Sequence, residues 1–190
     1  MEEVENIDAC SVVALDDVRV LLAEHGVGDE YFIDRGLVKF TDAKAEDLVV
    51  VQVDADGREH ELVTGAGDAW LEMQKAAKAD GVELEMVSAF RSVERQAEIV
   101  RGKFQRGLGV DEIFAVSAPP GFSEHHTGRA LDISTPGYAV LEQEFEESEA
   151  FRWLGENAKK YDFTMTYGKG NTYGYLYEPW HWVWGSEGGM

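Results

Sequence analysis

Cysteine is nearly absent from this 190-residue sequence, and a single one, Cys10, excludes both an intrachain disulfide framework and a cysteine-rich zinc site. Basic residues are scarce as well. Against 37 acidic side chains stand 17 lysines and arginines, a formal charge of −20, which disfavours nucleic acid or an anionic membrane as partner because both reward basic patches. No segment approaches the ~18 consecutive apolar residues of a bilayer-spanning helix. The opening MEEVENIDAC lacks the apolar core of a secretory signal, and Cys10 lacks the apolar run that precedes a lipid-attached cysteine. Repeats, linkers and low-complexity tracts are missing too. What is present, 44% hydrophobic and 11% aromatic residues over a length suited to one substantial core, predicts one soluble, monomeric catalytic domain with a small N-terminal addition.

Residues 1–65 carry no evident chemistry. Val13, Leu15, Val18, Leu21 and Leu22 follow helical spacing up to Gly26, and residues 48–53 read as a strand followed by the turn Asp54-Ala55-Asp56-Gly57. His25 and His60, isolated among polar residues, read as surface histidines. From Asp68, a helix cap by type, Trp70, Met73 and Ala77 form one stripe. Val82, Leu84 and Met86 then alternate with Glu83 and Glu85, predicting a half-buried strand that delivers Ser88-Ala89-Phe90-Arg91 to its end. Ser92 is placed to cap a helix carrying Val93, Ala97, Val100 and Phe104. Residues 107–122, rich in glycine and proline, read as a surface loop. Strands are expected at 130–133, 163–167 and 175–184, a helix over Phe151, Leu154, Ala158 and Tyr161, and a solvated acidic face at 142–149.

The chemistry concentrates in SEHHTGRALD, residues 123–132, and in Glu178-Pro179-Trp180-His181. Two histidines and one aspartate suit zinc, and three protein ligands leave a tetrahedral position open, the arrangement of a catalytic site. His125 and His126 are adjacent, so in extended chain they point to opposite sides and one ligand is expected from the pair. The position of Gly128 favours His125. Glu178 is three residues from His181, with Pro179 perturbing the backbone between them. It is suited to take a proton from attacking water and pass it to a leaving amine. Arg91, held between a strand end and a helix start, is placed to grip a carboxylate or an oxyanion. Taken singly, such histidines and carboxylates make structural hydrogen bonds, and Trp180, Trp182 and Trp184 suit a core. Their joint occurrence in S-x-H-x-x-G-x-A-x-D and E-P-W-H points to a site instead.

In motif order, FRSVERQ, SEHHTGRALD and GYLYEPWHW, the chain from about residue 68 to 185 resembles the zinc D-alanyl-D-alanine carboxypeptidases of the vancomycin-resistance type. Related L,D-carboxypeptidases and D,D-dipeptidases of the LAS metallopeptidases share the pattern. The resemblance implies a compact α+β domain over residues 66–190, with a central antiparallel sheet, flanking helices and a zinc cleft, and residues 1–65 as an extension packed on it or preceding it. It implies His125, Asp132 and His181 as zinc ligands, Glu178 as general base and Arg91 as the transition-state arginine. Ser92, Gln96, Ser123 and Trp180 would bind or shape the substrate. That substrate would be a peptidoglycan stem peptide or precursor losing its C-terminal D-alanine, in the periplasm or cell envelope, with the cytoplasm open for trimming of precursors. Two positions depart from the pattern. Thr166, before Tyr167, and Val183, after the Trp-His pair, stand where similar proteins often have arginine, so a basic subsite is expected to be missing. The same site chemistry also serves an endopeptidase or lysin-like hydrolase cutting a cross-link or an L-Ala-D-Glu bond. A zinc-stabilised peptide-binding module is the non-enzymatic alternative, its mark being a lost base, whereas Glu178 is present.

Overall fold

One antiparallel sheet has an apolar face that closes the core and a polar face that lines a cleft. The computed structural model describes residues 9–185, with side chains from residue 14 onward, so the placement of Val13 and Cys10 side chains lies outside the described residues. In chain order come α1 (Ala9–Glu24), α2 (Asp29–Asp34), β1 (Leu48–Val53), β2 (Glu59–Val63), α3 (Thr64–Ala79), β3 (Glu85–Ser88), α4 (Val93–Gln105) and α5 (Val110–Ala115). Then follow β4 (Ala130–Ser134), α6 (Glu149–Asn157), β5 (Phe163–Thr164) and β6 (His181–Trp184). The main sheet runs β3-β4-β6-β5, every pair antiparallel, and β1-β2 is a separate hairpin.

Strand alternation assigns the two faces. Leu131 and Ile133 of β4 and Trp182 of β6 enter a core with Trp70 and Met73 of α3 and Leu154 of α6. Asp132 and His181, each one residue out of phase with those and paired across the ladder, therefore lie on the opposite face. Strand β3 reaches that face by an irregularity. Met86 pairs with Ile133 and Ser88 with Asp132, so the extra residue Val87 makes a bulge. A bulge flips the side-chain phase, which leaves Met86 in the core while Ser88 joins Asp132. A second apolar cluster, including Val18, Phe32, Val100, Phe114 and Tyr175, packs α1 and α2 against α4 and α5 and backs the far wall of the cleft.

The expected α+β architecture with a central antiparallel sheet is the one observed. Several local expectations are corrected. Helix α3 begins at Thr64, one turn before Asp68, which is interior to it. The stretch 107–122 contains α5, capped by Gly109, whose N–H donates to Glu112 Oε2 at 2.9 Å. The ladder of the final strand covers only 181–184, because Glu178–His181 forms a turn in which His181 N–H donates to Glu178 O at 3.2 Å. Likewise β5 is two residues long rather than 163–167. The acidic run is not wholly solvated, since Phe145 within it is 1% exposed. His60 is not on the surface: it is 2% exposed, with Nε2 2.7 Å from Asp54 Oδ2.

Gly128 sits in the left-handed region at φ +64, and a Cβ there would lie 2.9 Å from Leu48 Cδ2 and 3.1 Å from Val63 Cγ1. Gly128→Ala is expected to destabilise the fold by ~1–3 kcal/mol, combining positive-φ strain with that crowding. Urea unfolding would report it as a lower midpoint at constant slope. An unchanged midpoint would mean the β1-β2 hairpin yields freely.

Candidate metal centre

Two chain segments distant in sequence converge on the polar face of the sheet. His125 stands in a 3-10 turn, Glu124–Thr127, that leads through Gly128 into β4, while Asp132 lies on β4 and His181 opens β6. One potential ligand atom from each of the three lies within 4.8 Å of the others, and all three residues are buried. His125 Nε2 is 3.3 Å from Asp132 Oδ2, and His181 Nδ1 is 3.1 Å from Asp132 Oδ1.

The outer nitrogens fix which atoms face inward. His125 Nδ1 donates to Ala89 O at 2.7 Å, so in the neutral ring the Nε2 lone pair points toward Asp132. His181 Nε2 lies 2.9 Å from Glu124 Oε2, which leaves Nδ1 as its inward atom. An imidazole oriented by a carbonyl or a carboxylate on its far side is the usual arrangement of a metal-binding histidine. Ligand atoms of a tetrahedral zinc stand ~3.3 Å apart, given bonds of ~2.0–2.1 Å. The spacings to Asp132 fit that edge, and the donor set of two nitrogens and one oxygen fits zinc chemically.

Electrostatics match. Burial alone would raise the Asp132 carboxyl, but His125 and His181 hold it well below the usual carboxylate range. Burial lowers the His125 imidazole, with Asp132 opposing. For His181 burial also acts downward, yet hydrogen bonds to Asp132 and Glu124 carry it from 6.5 to about 10. A group raised on folding stabilises the native state fully below its unfolded pKa and loses that effect as pH rises through the folded value. The metal-free protein should therefore lose thermal stability between pH 6.5 and about 10. Replacing His181 by Asn should flatten that slope, and a slope unchanged in this variant would show that another group causes it.

Around the three lies a cleft of about 850 Å³, within the range of small-ligand sites. Arg91, Ser123, Glu178 and Trp180 line it. Arg91 Nη2 is 3.9 Å from Asp132 Oδ2 and 3.4 Å from Ser88 Oγ, while Nη1 donates to Gln96 Oε1 at 2.9 Å. Gln96 in turn donates to Ala118 O at 2.6 Å. It is 1% exposed and stands behind the cleft wall, aiming Arg91. Ser92 is likewise not among the lining residues. Its hydroxyl caps α4 by accepting from Arg95 N–H at 3.1 Å. Both were expected to bind the substrate or shape its wall, and here Gln96 holds Arg91 while Ser92 caps α4.

Burial raises the Glu178 carboxyl to about 7; His181 and Arg91 oppose, and Asp132 and Glu124 add to the rise. A carboxyl near neutrality in a cleft is suited to accept a proton and return it. His126, beside the ligand set, faces away from it. Its Nδ1 donates to Arg91 O at 2.6 Å and its Nε2 accepts from Gly121 N–H at 3.1 Å. Burial lowers it to about 4, so it is a neutral ring that anchors the Arg91 backbone.

Sequence reasoning missed Glu124 and Ser88. Glu124 accepts from His181 Nε2 and, at 2.7 Å, from Thr166 Oγ1, while the Tyr167 ring stacks on His181 with centroids 4.6 Å apart. Thr166, one of the departures, is thus bound to the support of His181. Val183, the other, is 6% exposed on the same face of β6 as His181. The available signal for Glu124 was its place inside the motif, between Ser123 and His125.

Known proteins share this arrangement of chain. The pattern of the VanY family, described as D-alanyl-D-alanine carboxypeptidase, matches residues 59–187. YodJ of Bacillus subtilis, a carboxypeptidase by name, is 40% identical over 124 residues, 61% of this chain and 43% of that protein. A D-alanyl-D-alanine carboxypeptidase of Enterococcus faecalis is 34% identical over 116 residues, 56% of this chain and 41% of that protein. The chain thus spans less than half the length of these curated relatives. Among solved structures, the LdcB LD-carboxypeptidase superimposes with TM-score 0.66 at 35% identity, covering 75% of this chain and 69% of that one. A glutamate-to-alanine variant of the VanY D,D-pentapeptidase from a VanB-type resistance cassette, in complex with Zn(II), gives 0.58 at 27% identity, covering 78% and 85%. Among the described residues no helix is long and apolar enough to cross a membrane.

Proposed function

Because this chain belongs to the VanY family of D-alanyl-D-alanine carboxypeptidases, we propose that it is a zinc carboxypeptidase that removes the C-terminal D-alanine of peptidoglycan stem peptides or their precursors. The observation that carries this reading is the convergence of His125, Asp132 and His181 in one cleft with Glu178 and Arg91. His125 Nε2, an Asp132 carboxylate oxygen and His181 Nδ1 would hold the ion. When bound, zinc supplies Lewis acidity toward water and toward the scissile carbonyl.

The side chains account for the rest. The Glu178 carboxylate takes a proton from the water that attacks the carbonyl carbon, then delivers it to the amine of the departing D-alanine. Arg91 donates N–H groups to the oxygen on which negative charge develops, and its bonds to Gln96 and Ser88 keep the guanidinium aimed there at no cost during reaction. Ser123 and Trp180 line the walls against which the peptide would lie. Residues 66–190 are the proposed catalytic domain, and residues 1–65 its N-terminal extension.

Likeness to the LdcB LD-carboxypeptidase favours a second reading, removal of D-alanine from a tetrapeptide whose scissile bond follows an L-centre. Both readings place the action on cell-wall peptides, in the envelope or on precursors inside the cell. The test is incubation of zinc-loaded protein with a stem pentapeptide ending in D-Ala-D-Ala and, separately, with the tetrapeptide. Free D-alanine from the pentapeptide is the expected result. Release from the tetrapeptide alone would establish the second reading, and release from neither would overturn both.

A further inference from the structure

We propose that Lys103 and Ser117 form a subsite of the cleft that binds a carboxylate of the substrate peptide. The inference rests on the carboxypeptidase reading and adds a recognition element to it. Within α4, Arg95, Ile99 and Lys103 are spaced at i, i+4 and i+8, so they share one helix face, and all three line the cleft that contains Glu178. Lys103 Nζ donates to Ser117 Oγ at 2.5 Å across the gap to the segment after α5. Ser117 also lines the cleft.

Lys103 is set apart by its burial, since every other lysine among the described residues is exposed. Carboxylates outnumber basic groups 37 to 17 in this chain. Among the described residues, no carboxylate lies within 4.0 Å of Lys103, and its hydrogen-bond partner is a neutral hydroxyl. An ammonium has three donors, so with one on Ser117 the others remain for a ligand. Burial lowers its pKa, Arg106 adds to this, and Glu178 opposes it, which places the ammonium within electrostatic reach of the proposed base. Four of the chain's basic residues, Arg58, Arg91, Arg95 and Lys103, line this cleft. With Arg91 committed to the reacting carbonyl and Arg95 paired to Glu98 at 2.6 Å, Arg58 and Lys103 remain, and of these two Lys103 is the half-buried one held by a hydrogen bond to another cleft residue, whereas Arg58 is exposed. The positions where similar proteins often carry arginine are Thr166 and Val183 here, so charge recognition from α4 would take over that role.

A carboxylate could come from the peptide's C-terminus or from an acidic residue within it. Binding is measured by calorimetry to zinc-loaded Glu178→Ala protein, which cannot turn the ligand over. The three ligands are the free-acid peptide, its C-terminal carboxamide and the peptide with its internal carboxylate amidated. Lys103→Met should weaken the free-acid peptide about tenfold, the effect of losing one charged hydrogen bond, and Lys103→Arg should recover most of it. One amidated peptide should bind about tenfold more weakly to unsubstituted Lys103 and become indifferent to Lys103→Met, which identifies the carboxylate. Equal effects of Lys103→Met on all three peptides, or none on any, would overturn the subsite. Ser117→Ala, with melting temperature checked alongside, provides a second variant should Lys103→Met disturb folding. Turnover by protein with Glu178 intact is read separately, so a failed subsite with retained D-alanine release leaves the carboxypeptidase reading standing.

Discussion

Glu178→Ala is expected to lower kcat about a thousandfold while the protein keeps its zinc. General acid–base groups contribute roughly 10²–10⁴ in rate, and Glu178 is assigned both proton transfers, so the upper half of that range applies. Metal retention follows from geometry, because the converging donor atoms belong to His125, Asp132 and His181 and not to Glu178. The pH profile carries the same information. Burial sets the carboxyl at about 7 in the metal-free protein, and a divalent cation nearby favours its ionised form. The acid limb of kcat/KM should therefore fall below pH 7 and disappear from the residual activity of the variant. Metal analysis with single-turnover kinetics checks both parts. Turnover near the original rate in zinc-replete variant protein would remove Glu178 from the mechanism.

Glu124→Ala is expected to weaken zinc binding by about 10–100-fold, the usual effect of losing the outer partner of a ligating histidine. Glu124 holds His181 Nε2 at 2.9 Å and is itself fixed by Thr166. Without it, the His181 ring loses its orientation and the bias that presents Nδ1 inward. Glu124→Gln keeps an acceptor oxygen but removes the charge, so it should fall between the two. Competition against a chromogenic chelator measures these affinities without reference to activity. Equal affinity in all three proteins would mean that the stack of Tyr167 on His181, at 4.6 Å, suffices to set the ring.

The motif residues were legible because a metal site demands particular side chains at particular spacings, and SEHHTGRALD with EPWH supplies them. Core strands were legible for a similar reason, since alternation such as Leu131, Asp132, Ile133 records which face meets the apolar core. Tertiary partnerships were not. Glu124 gains its meaning from His181, 57 residues away, and no local pattern encodes that pair. Ser88 required the bulge at Val87, which reverses the phase the strand pattern implies. Helix α5 was hidden because Gly107, Gly109, Pro119 and Pro120 bracket only six helical residues. The last strand was over-read because the buried aromatic residues from Tyr175 to Trp184 are inside for two different reasons. Trp182 packs in the sheet core, while Tyr175 belongs to the cluster beneath α4. His60 misled because its partner Asp54 lies across the β1-β2 hairpin.

In the proposed function, one cleft joins a His-Asp-His zinc site to a glutamate base for removal of a terminal D-alanine. The most direct test of that function is mass spectrometry of a mixed muropeptide pool digested with zinc-loaded protein, run beside the Glu178→Ala variant. Loss of a single alanine from pentapeptide-bearing muropeptides is expected with the unsubstituted protein, and an intact pool with the variant. Opened cross-links or cleaved L-Ala-D-Glu bonds, or a pool left intact by both proteins, would contradict the proposed function.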